Sequence, residues 1–281
     1  MKIRKIKTVI EGNWVVEGAG VKLKRIFGFG DTALTDPFLL LDNFGSADPA
    51  DYIAGFPWHP HRGMETITYM IEGEVAHGDS LGNAGVIKSG QVQWMTAGSG
   101  IVHQEMPKAC AGTMQGFQLW ANLPKKHKMT RPSYRDIKAE SIPEVKGPGY
   151  KIKVICGEYG GIKGPAQDIV IEPWFFDVTV DAGAAFALNV RPEDNVLACV
   201  FEGQGWFDEE KKRAVGPGQL AVMDEGDTLA CAASSEGLRF MLIAGRPLKE
   251  PVAWRGPIVM NTEHELKVAF DEYRKGTFLK R

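Results

Sequence analysis

Phe56-Pro57-Trp58-His59-Pro60-His61-Arg62-Gly63 carries two histidines one residue apart. After 41 intervening residues, His103-Gln104-Glu105 repeats the spacing with a histidine and a carboxylate. In an extended strand, residues i and i+2 face the same side, so each pair aims two donor groups into one space. Two such strands lying side by side bring three imidazoles and one carboxylate together. That donor set suits iron, manganese, nickel, copper or zinc and can leave positions open for substrate and oxygen. The spacing therefore nominates His59, His61, His103 and Glu105 as metal ligands. Glu65 competes for the carboxylate position, because it shares sequence parity with His59 and His61.

Around these pairs the chain reads as all-β. Its apolar segments are short and bounded by Gly, Pro, Asn or Asp: Thr66–Ile71, Val92–Thr96, Phe117–Ala121, Ile152–Ile155, Phe175–Val180, Val196–Phe201 and Phe240–Ile243. Leu81-Gly82-Asn83 reads as a hairpin tip. One helix is expected near the C-terminus. There Thr262 and Glu265 form a capping box, Leu266, Ala269, Phe270 and Tyr273 keep helical spacing, and Gly276 ends the run. Gly28-Phe29-Gly30-Asp31-Thr32-Ala33 mimics a dinucleotide fingerprint, but Pro37 follows too soon for the helix that motif needs, so a hairpin turn is expected.

The 281 residues, 44% hydrophobic, suffice for one large domain or two smaller ones. A net charge of −2 favours neither nucleic acid nor an acidic membrane surface as a partner. No apolar run reaches membrane-helix length, and the basic N-terminus has no signal-peptide core. Cys110, Cys156, Cys199 and Cys231 are scattered without C-x-x-C or disulfide-like spacing, which points to a reducing cytoplasm. His77 reads as structural, and the basic run around His127 as a solvated loop.

A weak internal repeat divides the chain. Gly90-Gln91-Val92-Gln93-Trp94-Met95-Thr96-Ala97-Gly98 aligns with Gly218-Gln219-Leu220-Ala221-Val222-Met223-Asp224-Glu225-Gly226 at an offset of 128, and Glu72-Gly73 with Glu202-Gly203 at 130. Two barrels of one design are therefore expected: residues 1–124 with the metal, a mostly loop connection over 125–165 holding Pro132, Pro143, Pro148 and Pro165, and residues 166–281 with the terminal helix. In the second copy the ligand positions fall on Ala187, Asn189 or Arg191 and on Cys231 and Ala233, so only the first barrel should hold a metal.

An H-x-H strand, a hairpin and a second ligand strand reached through Gly98-Ser99-Gly100 resemble the cupin pattern. The wider match is closer. Phe56-Pro57-Trp58-His59-Pro60-His61-Arg62-Gly63-Met64-Glu65-Thr66 and Gln93 through Pro107 are similar to the pirin family signature. Asp36-Pro37-Phe38-Leu39-Leu40, Gln118-Leu119-Trp120-Ala121-Asn122-Leu123 and Gly256-Pro257-Ile258-Val259-Met260-Asn261-Thr262 also resemble pirin segments. The resemblance implies two tandem cupin barrels (double-stranded β-helix, jelly-roll) with a short C-terminal helix. It implies one divalent metal, iron first, with manganese, nickel, cobalt, copper or zinc as alternatives, on His59, His61, His103 and Glu105. It favours Glu105 over Glu65. Two positions depart from the family pattern: Trp58 stands where an acidic or small residue is common, and Met64 replaces a usual Phe, so both are expected to alter the pocket mouth.

The activities implied are quercetin 2,3-dioxygenase chemistry on a small planar flavonol-like substrate with O2, or iron-based, redox-sensitive regulation through a protein partner, cytoplasmic and also nuclear in a eukaryote. In the enzyme reading Glu105 is both ligand and catalytic base. A deep pocket favours the enzyme; a shallow site beside a charged flat surface favours the regulator.

Overall fold

A computed structural model describes residues 2–208 and 212–280. The chain is mostly β and forms two compact units, each a cupin-type assembly. The first comprises Trp14–Gly30, Pro37–Ala139 and Leu248–Arg281. It holds two sheets. In the smaller, the order is Phe56–His61, Ile101–Lys108, Glu74–Asp79, Ala84–Lys88. In the larger, seven strands run Ser133–Ile137, Val92–Thr96, Met64–Glu72, Met114–Asn122, Phe38–Ser46, Val21–Phe27, Asn13–Glu17. The strand Met64–Glu72 reads METITYMIE, a run of β-branched and aromatic residues suited to a pleated, buried surface. In Ile101–Lys108 burial alternates, with Ile101, His103, Glu105 and Pro107 inward. Leu23 and Phe44 from the larger sheet and Val75 and Ile87 from the smaller pack in one apolar cluster.

The second unit comprises Met1–Asn13, Asp31–Asp36 and Glu140–Pro247. Its main sheet runs Ile6–Glu11, Gln219–Met223, Asn195–Trp206, Thr228–Gly245, Trp174–Val180, Tyr150–Cys156, Glu144–Gly147. The internal repeat is visible in the hydrogen bonds. Gly90 and Gly218 share a left-handed backbone (φ 77 and 78), and their N–H groups donate to Met70 O and Val200 O. Gln91 and Gln219 in turn donate to Lys88 O and Gly216 O.

These units differ from the expected linear division. The strand Ile6–Glu11 pairs with Gln219–Met223, so the N-terminal residues belong to the second unit. The C-terminal residues belong to the first. The region over 125–165 is also less loop-like than expected, because Ser133–Ile137, Glu144–Gly147 and Tyr150–Cys156 are paired strands. Pro132, Pro143 and Pro148 sit just outside those strands, where a missing N–H costs no ladder bond. The Gly28–Ala33 run is not a hairpin turn. It forms a 3-10 turn, Phe29–Asp31, and a four-residue helix, Thr32–Thr35. The hairpin tip at Leu81–Asn83 and the helix Glu263–Arg274 with its Thr262/Glu265 capping box are present as expected. Among the described residues no helix is long and apolar enough to cross a membrane.

Three polar anchors tie the C-terminal segment to the ligand strand in the first unit. The buried Arg62 donates from Nε to Ser99 O (2.8 Å), from Nη2 to Phe278 O (2.7 Å) and from Nη1 to Glu272 (2.7 Å), and it stacks on the Phe278 ring. His61 Nδ1 faces Pro257 O at 3.0 Å. Lys128, also buried, donates to Gly63 O (2.8 Å), Val259 O (3.0 Å) and Asn122 Oδ1. Burial pushes the Lys128 ammonium down to about 7. The three acceptors oppose that by matching the three protons of the charged form.

Lys128→Met should therefore leave three oxygens short of a donor in a dry site. The expected loss is about 3 kcal/mol of unfolding free energy, read as a lowered urea midpoint with an unchanged m-value. A midpoint equal to wild type would show that these oxygens find other donors.

Candidate metal centre

Antiparallel pairing of Phe56–His61 with Ile101–Lys108 places His59 directly opposite His103, and His61 opposite Ile101. The three imidazoles gather with ring centroids 4.4 Å (His59–His103), 4.8 Å (His59–His61) and 4.9 Å (His61–His103) apart. One nitrogen from each lies within 4.8 Å of the others, and this is the one such grouping of metal-ligating side chains among the described residues.

Hydrogen bonding fixes which nitrogens are available. His59 Nδ1 faces Pro57 O at 2.8 Å, and His61 Nδ1 faces Pro257 O. A carbonyl only accepts, so both Nδ1 atoms carry the proton, and in the neutral rings both Nε2 atoms carry lone pairs. Those two Nε2 atoms are 3.1 Å apart. Neither ring nitrogen of the fully buried His103 has a hydrogen-bond partner. Burial, and after it the neighbouring imidazoles, hold His61 and His103 well below the usual histidine range; burial also lowers His59. Neutral imidazoles with converging lone pairs and no proton to share fit a transition metal cation.

Glu105 follows His103 on the same strand, past a register shift, and its carboxyl group turns to the opposite sheet. There Thr68 Oγ1 lies 2.9 Å from Oε1 and Gln118 Nε2 lies 3.4 Å from Oε2. Burial pushes its carboxyl up to about 7. Glu105 stands outside the three-histidine grouping but lines the same cavity as His59 and His61.

Glu65 points elsewhere. It is buried and accepts from Thr96 Oγ1 (2.7 Å) and Trp94 Nε1 (3.2 Å). The parity that linked it to His59 and His61 is broken at Gly63, whose left-handed backbone (φ 78) turns the chain between strands. Any Cβ there would meet Val259 O at 1.9 Å, so the corner admits only glycine.

The cavity measures about 610 Å³. Leu23, Leu40, Phe44, Val75, Trp120 and Trp254 supply much of its apolar wall. Trp120 meets His61 edge-on at 5.1 Å. Thr68, Gln118, Arg25 and Asp42 add polar groups that the spacing of histidines alone did not reveal. Trp58 does not shape this space: its side chain is 53% exposed, on the opposite side of the strand from His59. Met64 is buried beneath the cavity with Leu39, Val259 and Trp120. His77 lies opposite Glu105 on the neighbouring strand, stacked on Tyr134 at 4.9 Å and 3.3 Å from Asp79, in keeping with a structural role.

In the second unit the corresponding positions hold no such set among the described residues. Cys231 and Ala233 join Phe186, Leu188, Phe207 and Phe240 in an apolar core. Arg191 pairs with Asp194 at 2.6 Å, and Asn189 accepts from Thr228 at 3.3 Å.

Purified protein should accordingly bind one equivalent of divalent transition metal per chain. His103→Ala should bring it to background, with the circular-dichroism spectrum and a cooperative melt retained. Elemental analysis and thermal melts read both outcomes. Two tightly held equivalents, or full loading of the variant, would contradict the assignment.

A family model described as "Pirin" matches residues 20–121, and one described as "Pirin C-terminal cupin domain" matches residues 175–279. A "Pirin-like protein" of Caulobacter vibrioides is 41% identical over 280 residues, covering 99% of this chain and 100% of its own length. A protein of Pseudomonas aeruginosa named "Putative quercetin 2,3-dioxygenase" is 42% identical over 282 residues, with 98% of each chain covered. Among solved structures, a quercetin 2,3-dioxygenase from Acinetobacter baumannii superposes with a TM-score of 0.90 at 34% identity, covering 98% of both chains. With both halves matched and relatives aligned from end to end, the chain belongs to the pirin family.

Proposed function

We propose that this protein is a metal-dependent dioxygenase that opens the central ring of a flavonol-like substrate with O2, at a single metal held by His59, His61, His103 and Glu105. The observation that carries the reading is the cluster of three neutral imidazoles, of which His59 and His61 line one cavity of about 610 Å³ together with the buried carboxyl group of Glu105. That volume lies within the range of small-molecule sites, which favours an enzyme over a regulator reading a flat surface. Relatives named for quercetin 2,3-dioxygenase support the substrate class. The donor set tolerates iron, manganese, nickel, cobalt, copper and zinc; iron is the first choice on family resemblance.

When bound, the metal would acidify a coordinated enol hydroxyl and bring it together with O2. The chain's own groups do the rest. Trp120 and Trp254 present aromatic surface to a flat ring system, and the apolar wall keeps water from it. Glu105 takes the substrate hydroxyl proton on its carboxylate.

Thr68 and Gln118 let it do so in either state. Thr68 has one proton and two neighbours, Glu105 Oε1 at 2.9 Å and Gln118 Oε1 at 2.6 Å. An ionised Glu105 accepts from Thr68 Oγ1 and from Gln118 Nε2, and Gln118 Oε1 gives up the Thr68 proton. A protonated Glu105 donates to Thr68 Oγ1, whose own proton goes to Gln118 Oε1. The carboxyl group therefore gains or loses a proton without losing its partners. In the overall reaction both atoms of O2 enter the ring-opened product and one ring carbon leaves as carbon monoxide.

Oxygen uptake and carbon monoxide release with quercetin test the proposal. Glu105→Gln keeps a donor oxygen but cannot accept the proton, so kcat should fall by about 100-fold while KM changes little. Protein loaded in turn with iron, manganese, nickel, cobalt and copper that shows no flavonol-dependent uptake would refute the dioxygenase reading.

A further inference from the structure

Besides His59, His61, Glu105 and Glu17, the cavity's other ionisable and hydrogen-bonding side chains stand along one line. Arg25, Asp42, Gln118 and Thr68 stand opposite one another on four adjacent strands. Arg25 faces Asp42, Asp42 faces Gln118, and Gln118 faces Thr68. Opposed residues project from the same face of a sheet, and all four line the cavity. With adjacent strands ~4.8 Å apart, the row extends about 14 Å from Thr68 to Arg25. Apolar rows border it: Leu23 opposite Phe44 on one side, Leu40 opposite Trp120 on the other. The result is a slot with a polar floor, long enough for a multi-ring molecule laid lengthwise.

The Thr68 end of the row touches Glu105. The other end is a charged cluster. Arg25 bonds Asp42 through Nε and Nη2, both at 2.9 Å, and Glu17 through Nη1 at 2.8 Å. Of the five guanidinium N–H groups, three are used and two remain for a ligand. Glu17 and Asp42 keep unused carboxylate lone pairs, and both line the cavity. With two carboxylates and one guanidinium, the cluster is net negative when ionised, so it repels an anionic group. It offers acceptors beside donors, which suits neighbouring hydroxyl groups, since each both donates and accepts.

Building on the function proposed above, we infer that Glu17, Arg25 and Asp42 form the specificity subsite of this cavity. They bind a neutral vicinal dihydroxy edge on the substrate ring remote from Glu105. The bland reading is that Arg25 and Asp42 are merely a partly buried ion pair stabilising the sheet. That role would be indifferent to how the ligand's far ring is substituted.

The test uses three flavonols whose pendant ring carries two adjacent hydroxyls (quercetin), one (kaempferol) or none (galangin). Equilibrium binding to the metal-loaded protein is followed without oxygen by flavonol absorbance, alongside aerobic turnover. Wild type should bind quercetin about tenfold more tightly than galangin, the scale of one or two net hydrogen bonds. In Asp42→Asn and Glu17→Gln that ratio should fall toward unity while galangin affinity stays at the wild-type value. Glu17 is half-exposed, and its change leaves the Arg25–Asp42 pair intact, so this variant decides the matter if Asp42→Asn folds poorly. Undiminished discrimination in Glu17→Gln, or a wild type that binds and converts all three flavonols equally, would overturn the subsite and leave the dioxygenase standing. Flavonols that do not bind wild type at all would overturn both.

Discussion

Two imidazole nitrogens 3.1 Å apart, each with its proton committed to a carbonyl on the other side of the ring, repel one another unless a cation lies between them. The first unit is arranged around that constraint. His103 adds a third ring with both nitrogens unpartnered in a dry interior, where an unsatisfied polar atom costs of order 1–3 kcal/mol. Chain segments far apart in sequence hold the rings in this position. Pro257 O fixes the tautomer of His61, and Arg62 and Lys128 anchor the strand and its corner from behind. A preorganised but internally frustrated donor set is what a metal relieves, and the stabilisation deferred in the metal-free fold is available to binding.

The ligand strands were legible because strand periodicity acts over two residues and needs no tertiary knowledge. His59, His61 and His103 follow from it directly. Parity fails once a strand turns a corner, as Glu65 shows. Gly63 reverses the facing, and what decides the matter is the approach of Val259 O, nearly two hundred residues away in sequence, which spacing cannot reveal. The same limit hid the cavity floor. Arg25, Asp42, Gln118 and Thr68 come from four separate segments and acquire a common meaning only through register. Gln118 and Trp120 lie in one of the pirin-like segments, and their i, i+2 spacing was the available clue. A linear cut cannot show long-range pairing: Ile6–Glu11 pairs with Gln219–Met223, and the terminal helix packs against Ile258 and Met260.

The two units show how little of a barrel frame depends on its contents. The glycine turns and their hydrogen bonds repeat, down to the φ angles of Gly90 and Gly218. The interiors diverge completely. In the second unit Phe207 and Phe240 meet edge-to-face at 5.2 Å, and Cys231, pushed up to about 12 by burial, is an inert filler. A filled interior gains apolar burial and close packing. An emptied one forgoes part of that for a cavity.

The long reach of the Arg62 and His61 contacts also sets an order of events during synthesis. Arg62 and Glu272 are 210 residues apart, and His61 and Pro257 are 196 apart. Chains emerge from the ribosome N-terminus first, so the histidines of the first unit are exposed long before the carbonyl that orients His61 exists. The second unit, whose last strand ends at Gly245, has all of its strands available earlier. It can fold on the nascent chain while the first unit still lacks its closing segment. The orientation of the His61 ring is then complete only once the segment carrying Pro257 has joined the first unit. Until that carbonyl is in place, nothing commits the His61 proton to Nδ1, and either ring nitrogen can carry it.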